Sequence, residues 1–576
     1  MAADQVEMLR GAEFFSHGFL PAAAAYCRRL SLVELVDRMV PTQMELRPGL
    51  AVQAMVLDVL QGRTPLYRVE HSMARTDVDT ELLLGEQVEP HMFSDTNLSR
   101  SLDAIFDAGP SKIITELGIQ AASAFSLDMR TLSYDTTSTS VWGEYRDCEL
   151  PEPPPGPVIT HGHSKDHQPQ LKQFMTELLC VERGVPIFGR TLDGNSSDKT
   201  SNNHMLARIS TLMAAHGLGP GACIYVADSA MVTERNLEAL GDMRFITRLP
   251  ANYSACEMAI QHAVDAKDWT ALGSLAETTG SAVRPSADYR SHETAVVLHG
   301  TSYRAVVIHS SSHDKRRQKK LAKSLAASEK ALRDKLKKVQ VRYFCEADAS
   351  VAATQATGLS TRLHIVVAKI QPVEVRRPGR PPKEGPLPTT TRYDLCCELA
   401  ENTAEVQREK DLAGCFVLLT NVPPEGHGAL DAKGILRTYK GQYGIESDFA
   451  FLKDPLIVND LFLKTPSRID ALGMILIIAL MIWRLMERSM RAYVQNNQIT
   501  LQGWDNKQTE KPTAFMMTTV LTDILVVLMN GNRSIIRELD SRRLAFLKAL
   551  GLGPPAFLDP QSKCVPIIPV KPASEG

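Results

Sequence analysis

The chain is short of several things at once. Its 64 Lys and Arg against 66 Asp and Glu leave a formal net charge of −2, so it has no uniformly basic coat for nucleic acid. Any such binding must come from local clusters. Aromatic residues make up only 6% of the sequence, and the ten cysteines form no CxxC pair and keep no regular spacing. That excludes a disulfide framework and reads as reduced thiols in a cytoplasmic protein. The opening residues, MAADQVEMLRGAEFF, lack a basic-then-apolar pattern, so no export signal is expected. The longest apolar run, 474–483, is bounded by Arg484, Glu487 and Arg488. It is too short to span a bilayer and is expected to be a buried helix. No internal repeat is present.

What is there is ordinary globular material in quantity. The 576 residues are 44% hydrophobic and 23% charged, too long for one core, which predicts two to four domains. Segment 1–120 reads as helical: stretches 21–39, 50–61 and 99–109 carry apolar residues at three- and four-residue spacings. Asp95 and Asn97 offer helix caps there. Such a bundle suits DNA-end binding and a structural role equally.

From 128 the pattern changes. Segment 129–138 alternates and is rich in Thr, a Pro-rich loop follows at 151–157, and 173–181 and 186–192 flank a turn at Glu182-Arg183-Gly184. Then come a capped helix at 198–216, a short buried strand at 223–227, a helix at 233–240 and a strand at 245–249. Three strands, helix, strand, helix, strand point to an α/β or mixed-sheet core over 121–255. Segment 256–412 breaks the order as an insertion. It reads as two strands over 290–309, a long charged helix over 310–338, strands at 340–345 and 361–368, and a Pro/Gly/basic linker at 376–388. The core resumes over 413–495. Segment 496–576 is expected to be helical at first and to end in a disordered Pro-rich tail from 560.

The candidate chemistry lies in three places. Tyr439, Gln442, Glu446 and Lys453 are spaced by 3, 4 and 7 residues, the period of one helix face. Ile435, Leu436, Ile445, Phe449, Phe451 and Leu452 can bury the other side. Asp135 sits in a Thr-rich strand, where Asp is uncommon, and Asp228 follows a buried strand's end, where α/β folds place ligands. Each aspartate alone reads equally well as a cap or turn residue, and Glu446 alone as a solvated helix residue. Together the three carboxylates can hold two Mg²⁺ or Mn²⁺ ions for an in-line displacement at phosphorus.

Taken together these residues resemble the DDE transposases of bacterial insertion sequences, in the branch with a Tyr-x2-Arg-x3-Glu-x6-Lys signature. Every spacing is met, with Gln442 standing where Arg is usual. The segments YDTTSTSVWGEY, VADSAMVTERNL, GHSKDHQPQLKQF, GRTLDGNSSDKT and FITRLP also resemble family motifs, so the likeness runs over roughly 10–490. It implies an α/β fold: a ribonuclease-H-like core with a large mixed β/α insertion, a helical N-terminal domain and a helical C-terminal region. It implies cut-and-paste transposition through a hairpin, with Asp135, Asp228 and Glu446 holding two Mg²⁺ ions. The partners implied are terminal inverted repeats and target DNA, bound by a homodimer with no membrane involved, in the bacterial nucleoid. The alternatives are a nuclease of the same core that performs no strand transfer and a catalytically silent, transposase-derived DNA-binding protein.

Several further residues are candidates for DNA contact. They are Tyr439, Gln442 and Lys453 of the signature, Lys165 and Lys172 near the first acidic strand, and Arg248 in FITRLP. Arg380 lies in RRPGRPPK, which contains a Gly-Arg-Pro that could enter an A·T-rich minor groove or serve only as linker. The basic helix around 315–338 reads as a solvated arm or as a DNA-backbone contact. Trp142 and Trp269 could stack on an unpaired base, with core packing the simpler role for both. His161, His163 and His167 near Cys148 do not match zinc-ligand spacing.

Overall fold

A computed structural model describes residues 12–570, apart from 63, 151, 183, 216–218, 220, 276–285, 380–386, 388 and 455–462. The chain divides into two compact units, Met1–Thr247 with Arg437–Gly576, and Arg248–Leu436. The N-terminal segment of the first unit opens with a short strand β1 (Glu13–Ser16) and continues as helices. These are α1 (Leu20–Arg29), α2 (Leu32–Met39), α3 (Pro48–Gln61), α4 (Leu66–Met73), α5 (Thr80–Leu84), α6 (Asp95–Ala108) and α7 (Pro110–Phe125). The single helix expected over 21–39 is broken at Ser31, whose φ of 45° is left-handed and ends the first turn set. The cap expected from Asp95 is not made. Ser94 precedes the helix without a side-chain bond, and Asn97 instead donates to the Met92 carbonyl at 3.0 Å.

The sheet of the first unit follows the element order expected from the sequence. It contains β2 (Thr131–Val141), β3 (Lys172–Val181), β4 (Val185–Leu192), α8 (Asp198–Ala215), β5 (Ile224–Ala227), α9 (Glu234–Leu240) and β6 (Arg244–Arg248). The strands stand in the order β4-β3-β2-β5-β6. β2, β3 and β4 form an antiparallel meander, whereas β5 runs parallel to β2 and β6 parallel to β5. The parallel pairs need crossovers, and α8 and α9 supply them. β3 is buried along its whole length, as a central strand with both faces covered should be.

The second unit carries the insertion. It begins with α10 (Ser254–Ala266), β7 (Thr270–Ser274), β8 (Asp288–Leu298), β9 (Thr301–Ser310) and α11 (Ser311–Leu336). β10 (Arg342–Tyr343), α12 (Glu346–Thr357), β11 (His364–Arg376), β12 (Thr389–Glu401), α13 (Thr403–Leu412) and β13 (Cys415–Thr420) follow. Strands β13, β9, β8 and β7 lie side by side, and β10, β12 and β11 form a separate three-stranded sheet. The strand expected at 361–368 runs on to 376, and β12, directly after the expected linker, was not anticipated. β11 and β12 pair residue for residue from His364↔Glu401 to Arg376↔Thr389, so the two strands close on the expected linker from either side. Arg380 itself lies outside the described residues.

The chain returns to the first unit through α14 (Ala432–Gly441) and α15 (Tyr443–Leu452), then α16 (Pro466–Asn497). α16 has 32 residues and is long and apolar enough to cross a membrane, which corrects the reading of 474–483 as too short. Its most apolar window is 89% buried against the protein's own helices and sheet, including α1, α3, α6, α7 and β4. The apolar surface is already consumed by the core, so α16 is the helix around which this unit is built. The N-terminal helices therefore pack against α16 within this unit. Arg533 joins Asp79 at 2.6 Å and Arg468 joins Asp103 at 2.7 Å across more than 350 residues of chain.

The C-terminal region departs from a purely helical expectation. α17 (Ala514–Val520) and α18 (Ser541–Ala549) alternate with the small pair β14 (Leu501–Gln502) and β15 (Gln508–Thr509) and with β16 (Leu525–Met529) and β17 (Asn532–Ile535). β16 pairs antiparallel with β1, Phe14 opposite Val527. The Pro-rich tail is ordered at least to 570: Cys564 is buried and the Val565 amide donates to Gly551 at 2.9 Å. Residues 571–576 lie outside the described part.

Candidate active site

The parallel pairing of β2 with β5 sets Ser133 opposite Val226. Two residues further along each chain, Asp135 and Asp228 therefore arrive at the same level. Asp135 is in mid-strand, three-quarters buried, and accepts the Thr136 amide at 2.7 Å. Asp228 follows the last residue of β5, accepts the Ala230 amide at 3.1 Å, and its carbonyl takes the Thr247 hydroxyl at 2.7 Å. The capping role weighed from sequence is thus real, and it leaves one carboxylate oxygen of Asp228 free of that bond.

Electrostatics mark the pair as short of positive charge. Burial pushes the Asp135 carboxyl up to about 7; Lys165 draws it down, and Asp228 and Asp198 push it further up. Burial, then the charge of Asp198, also raises Asp228. Like charges held close in a recess behave in this way.

Two members of the cluster were not assigned to it from sequence. Asp198, the first residue of α8, accepts the Thr136 hydroxyl at 2.5 Å. Lys165, expected on DNA phosphates, points inward. Its ammonium donates to the Thr136 carbonyl at 2.7 Å and lies 3.3 Å from Asp198 and 3.9 Å from Asp135. The loop carrying Lys165 is held tightly beneath: a Cβ on Gly162 would stand 2.1 Å from the Gly194 carbonyl, and buried Gln173 donates to that carbonyl at 2.7 Å. The motif GRTLDGNSSDKT was the only sequence signal that could have flagged Asp198.

The signature segment is not one helix. Gly441 and Gly444 weaken it on either side of Gln442, and the amides of Gln442 and Ile445 bond three residues back instead of four. The break separates α14 from α15, so Tyr439 belongs to the first helix and Glu446 to the first turn of the second. Lys453 lies just past the end. The apolar set from Ile435 to Leu452 is buried as expected.

One flank of α15 reaches the acidic strand and the other the loop that carries Lys165. The Gln442 amide donates to the carbonyl of Tyr134, the residue before Asp135, at 3.3 Å. Lys453 pairs with Asp166, the residue after Lys165, at 2.5 Å. A buried anchor fixes the helix between them. Asp448 is fully buried and meets the Arg484 guanidinium of α16 at 2.5 Å, and Arg484 also donates to Ser447 at 2.9 Å. Nothing in the sequence analysis singled out Asp448. Glu446 itself is exposed, and the structure does not draw it into the aspartate cluster. Among the described residues no three His, Cys, Asp or Glu side chains stand close enough to share an ion.

The remaining candidates lie apart. Lys172 is buried at the start of β3 and bonds the carbonyls of Glu144 and Tyr145. Arg248 stacks on Phe416 at 5.3 Å. Trp269 is packed among Arg290, His292 and His309, in keeping with a structural role. Trp142 is not a core residue: it is 71% exposed just beyond the end of β2.

A hard divalent cation suits the donor set in kind, since the clustered oxygens are carboxylates lacking compensation beyond one ammonium. Asp135 and Asp228 would supply its ligands. Residues 15–119, from β1 into α7, match a family model described as a domain of unknown function, DUF4277. No curated protein matches the chain.

Proposed function

We propose that this chain is a metal-dependent DNA transposase of an insertion sequence, with a ribonuclease-H-like core, that cuts element ends and joins them to target DNA. The observation that carries this reading is the level placement of Asp135 and Asp228 on neighbouring parallel strands, with α15 docked on the same strand through Gln442. The meander-plus-parallel strand order supports the core assignment.

Bound there, a divalent cation would activate a water or 3′-hydroxyl and stabilise the departing oxygen at phosphorus. The chain's own residues do the rest. Asp135 and Asp228 hold the cation, and Gln442 and Lys453 orient the strand's phosphates against it. Glu446, one turn into α15, completes the ligand set when DNA is bound. A homodimer on two inverted repeats, acting at the nucleoid, follows from the same reading. The exposure of Glu446, apart from the aspartates, favours one competing reading, a catalytically silent DNA-binding protein.

The test is to incubate the protein with the DNA flanking its own gene and Mg²⁺ and to look for hairpins and strand-transfer products. Asp135→Ala, Asp228→Ala and Glu446→Ala should each reduce cleavage at least about a hundredfold, the loss of roughly 3 kcal/mol of metal stabilisation, while end binding persists. Near wild-type cleavage by any of the three removes that residue from the site. Full activity in EDTA refutes the metal reading.

A further inference from the structure

α11 has two electrostatically different halves. In the distal half, Glu329 pairs with Arg333 at 2.7 Å and Asp334 with Lys337 at 3.1 Å, and Leu332 and Leu336 are buried. In the proximal half, Lys315, Arg316, Arg317, Lys319, Lys320 and Lys323 are all exposed, and none makes an ion pair among the described residues. Asp314, the acid that adjoins them on the helix, lies 3.7 Å from His309 and takes the Gln318 amide.

At 100° per residue, five of the six cations fall within an arc of about 140°, Arg317 alone lying outside it. They span about 12 Å along the helix axis. A DNA duplex presents about seven phosphate charges over that length. In a chain whose net charge is −2, an unneutralised stripe of this density is a local departure that needs a polyanion.

We infer that the proximal face of α11 binds the phosphate backbone of a DNA duplex. Two features favour a duplex over an anionic membrane. No Trp or Phe lies between 315 and 323, and the leucines opposite the cations are already covered by protein, Leu321 and Leu325 half-buried and Leu332 and Leu336 buried, so no free apolar stripe is left to sink into a bilayer. Backbone contact carries no base specificity, so this face holds DNA without choosing its sequence. The inference rests on the transposase reading only for the identity of the partner.

The experiment uses the full chain, a 30-base-pair duplex of unrelated sequence and a salt series read by fluorescence anisotropy. Lys315→Gln, Lys319→Gln and Lys323→Gln together should lower the slope of log affinity on log salt by about 2.7, at about 0.9 per phosphate contact. Lys330→Gln, Lys335→Gln and Lys338→Gln together remove the same charge from the distal half and should change it by less than about 1. Matching thermal melts for the two triple variants exclude unfolding as the cause. Equal slopes for both, no duplex binding by the intact protein, or tighter binding to phosphatidylserine vesicles than to duplex would each overturn the inference. Metal-dependent cleavage with an unchanged slope in the proximal variant would sink this inference alone. A proximal slope loss without any cleavage would sink the transposase reading alone.

Discussion

Replacing Arg484 with Met should loosen the helix that carries Glu446 without touching any group of the site. Asp448 has no exposure to solvent, and Arg484 is its cationic partner; its other contact is the Cys180 thiol at 3.6 Å. Burial pushes the Asp448 carboxyl from 3.8 up to about 7, even though Arg484 draws it down through charge and a hydrogen bond. In the unfolded chain the carboxyl ionises near 3.8, so between that pH and 7 the folded state holds a proton the unfolded state has lost. Stability contributed by this group is therefore full at low pH and falls as pH rises through 7. Keeping the buried carboxylate ionised opposes folding by roughly 4 kcal/mol above pH 7.

Arg484→Met removes the group that lowers this value, so the carboxyl moves higher still and the penalty extends to more alkaline pH. The loss relative to wild type should be small at pH 6, where Asp448 is largely protonated in both folded proteins. It should reach about 3–5 kcal/mol at pH 8.5, the usual cost of leaving a buried charge without its partner. Asp448→Asn should be milder, about 1–3 kcal/mol, because Arg484 keeps Glu487 at 3.4 Å and Ser447 at 2.9 Å. Urea unfolding followed by Trp483 fluorescence reads the right region, since that ring sits one residue away and packs on Phe451 and Phe515. Two compact units make the whole-chain melt more than two-state, so the transition of the unit containing α16 is the one to fit. A gap below about 1 kcal/mol at pH 8.5, a gap that narrows as pH rises, or a costlier Asp448→Asn would refute the reasoning.

Lys165→Met should tighten Mn²⁺ binding about tenfold, because the ammonium beside Asp135 and Asp198 repels an incoming cation; Lys165→Arg should not, and unchanged calorimetric affinity for Met would show that Lys165 does not compete. Lys453→Ala should slow cleavage and weaken end binding in a salt-dependent way, and a loss that ignores salt would mean that its pairing with Asp166 is purely structural. Gln442→Arg should be tolerated and bind DNA more tightly, since Arg grips phosphate with two bonds; a dead Gln442→Arg enzyme would show that the amide's bond to the Tyr134 carbonyl is what positions α15.

Local pattern was enough for much of this protein. Alternation and Thr content placed β2 and with it Asp135; a short apolar run ending in Asp228 placed β5; and the charged periodicity of 310–338 foretold α11. These elements are legible because strand and helix periods are written in consecutive residues. The interruption at Gln442 was also written there, in Gly441 and Gly444, though a matching three- and four-residue spacing masked it. What the sequence could not settle is which charged groups share a space. Asp198 meets Thr136 across 62 residues, Asp448 meets Arg484 in the core while its neighbour Glu446 stays in solvent, and β1 finds β16 more than 500 residues away. Burial and pairing of that kind depend on which surfaces meet, and carboxylates of identical chemistry become clustered, anchored or solvated only when the tertiary fold decides how much water each one keeps.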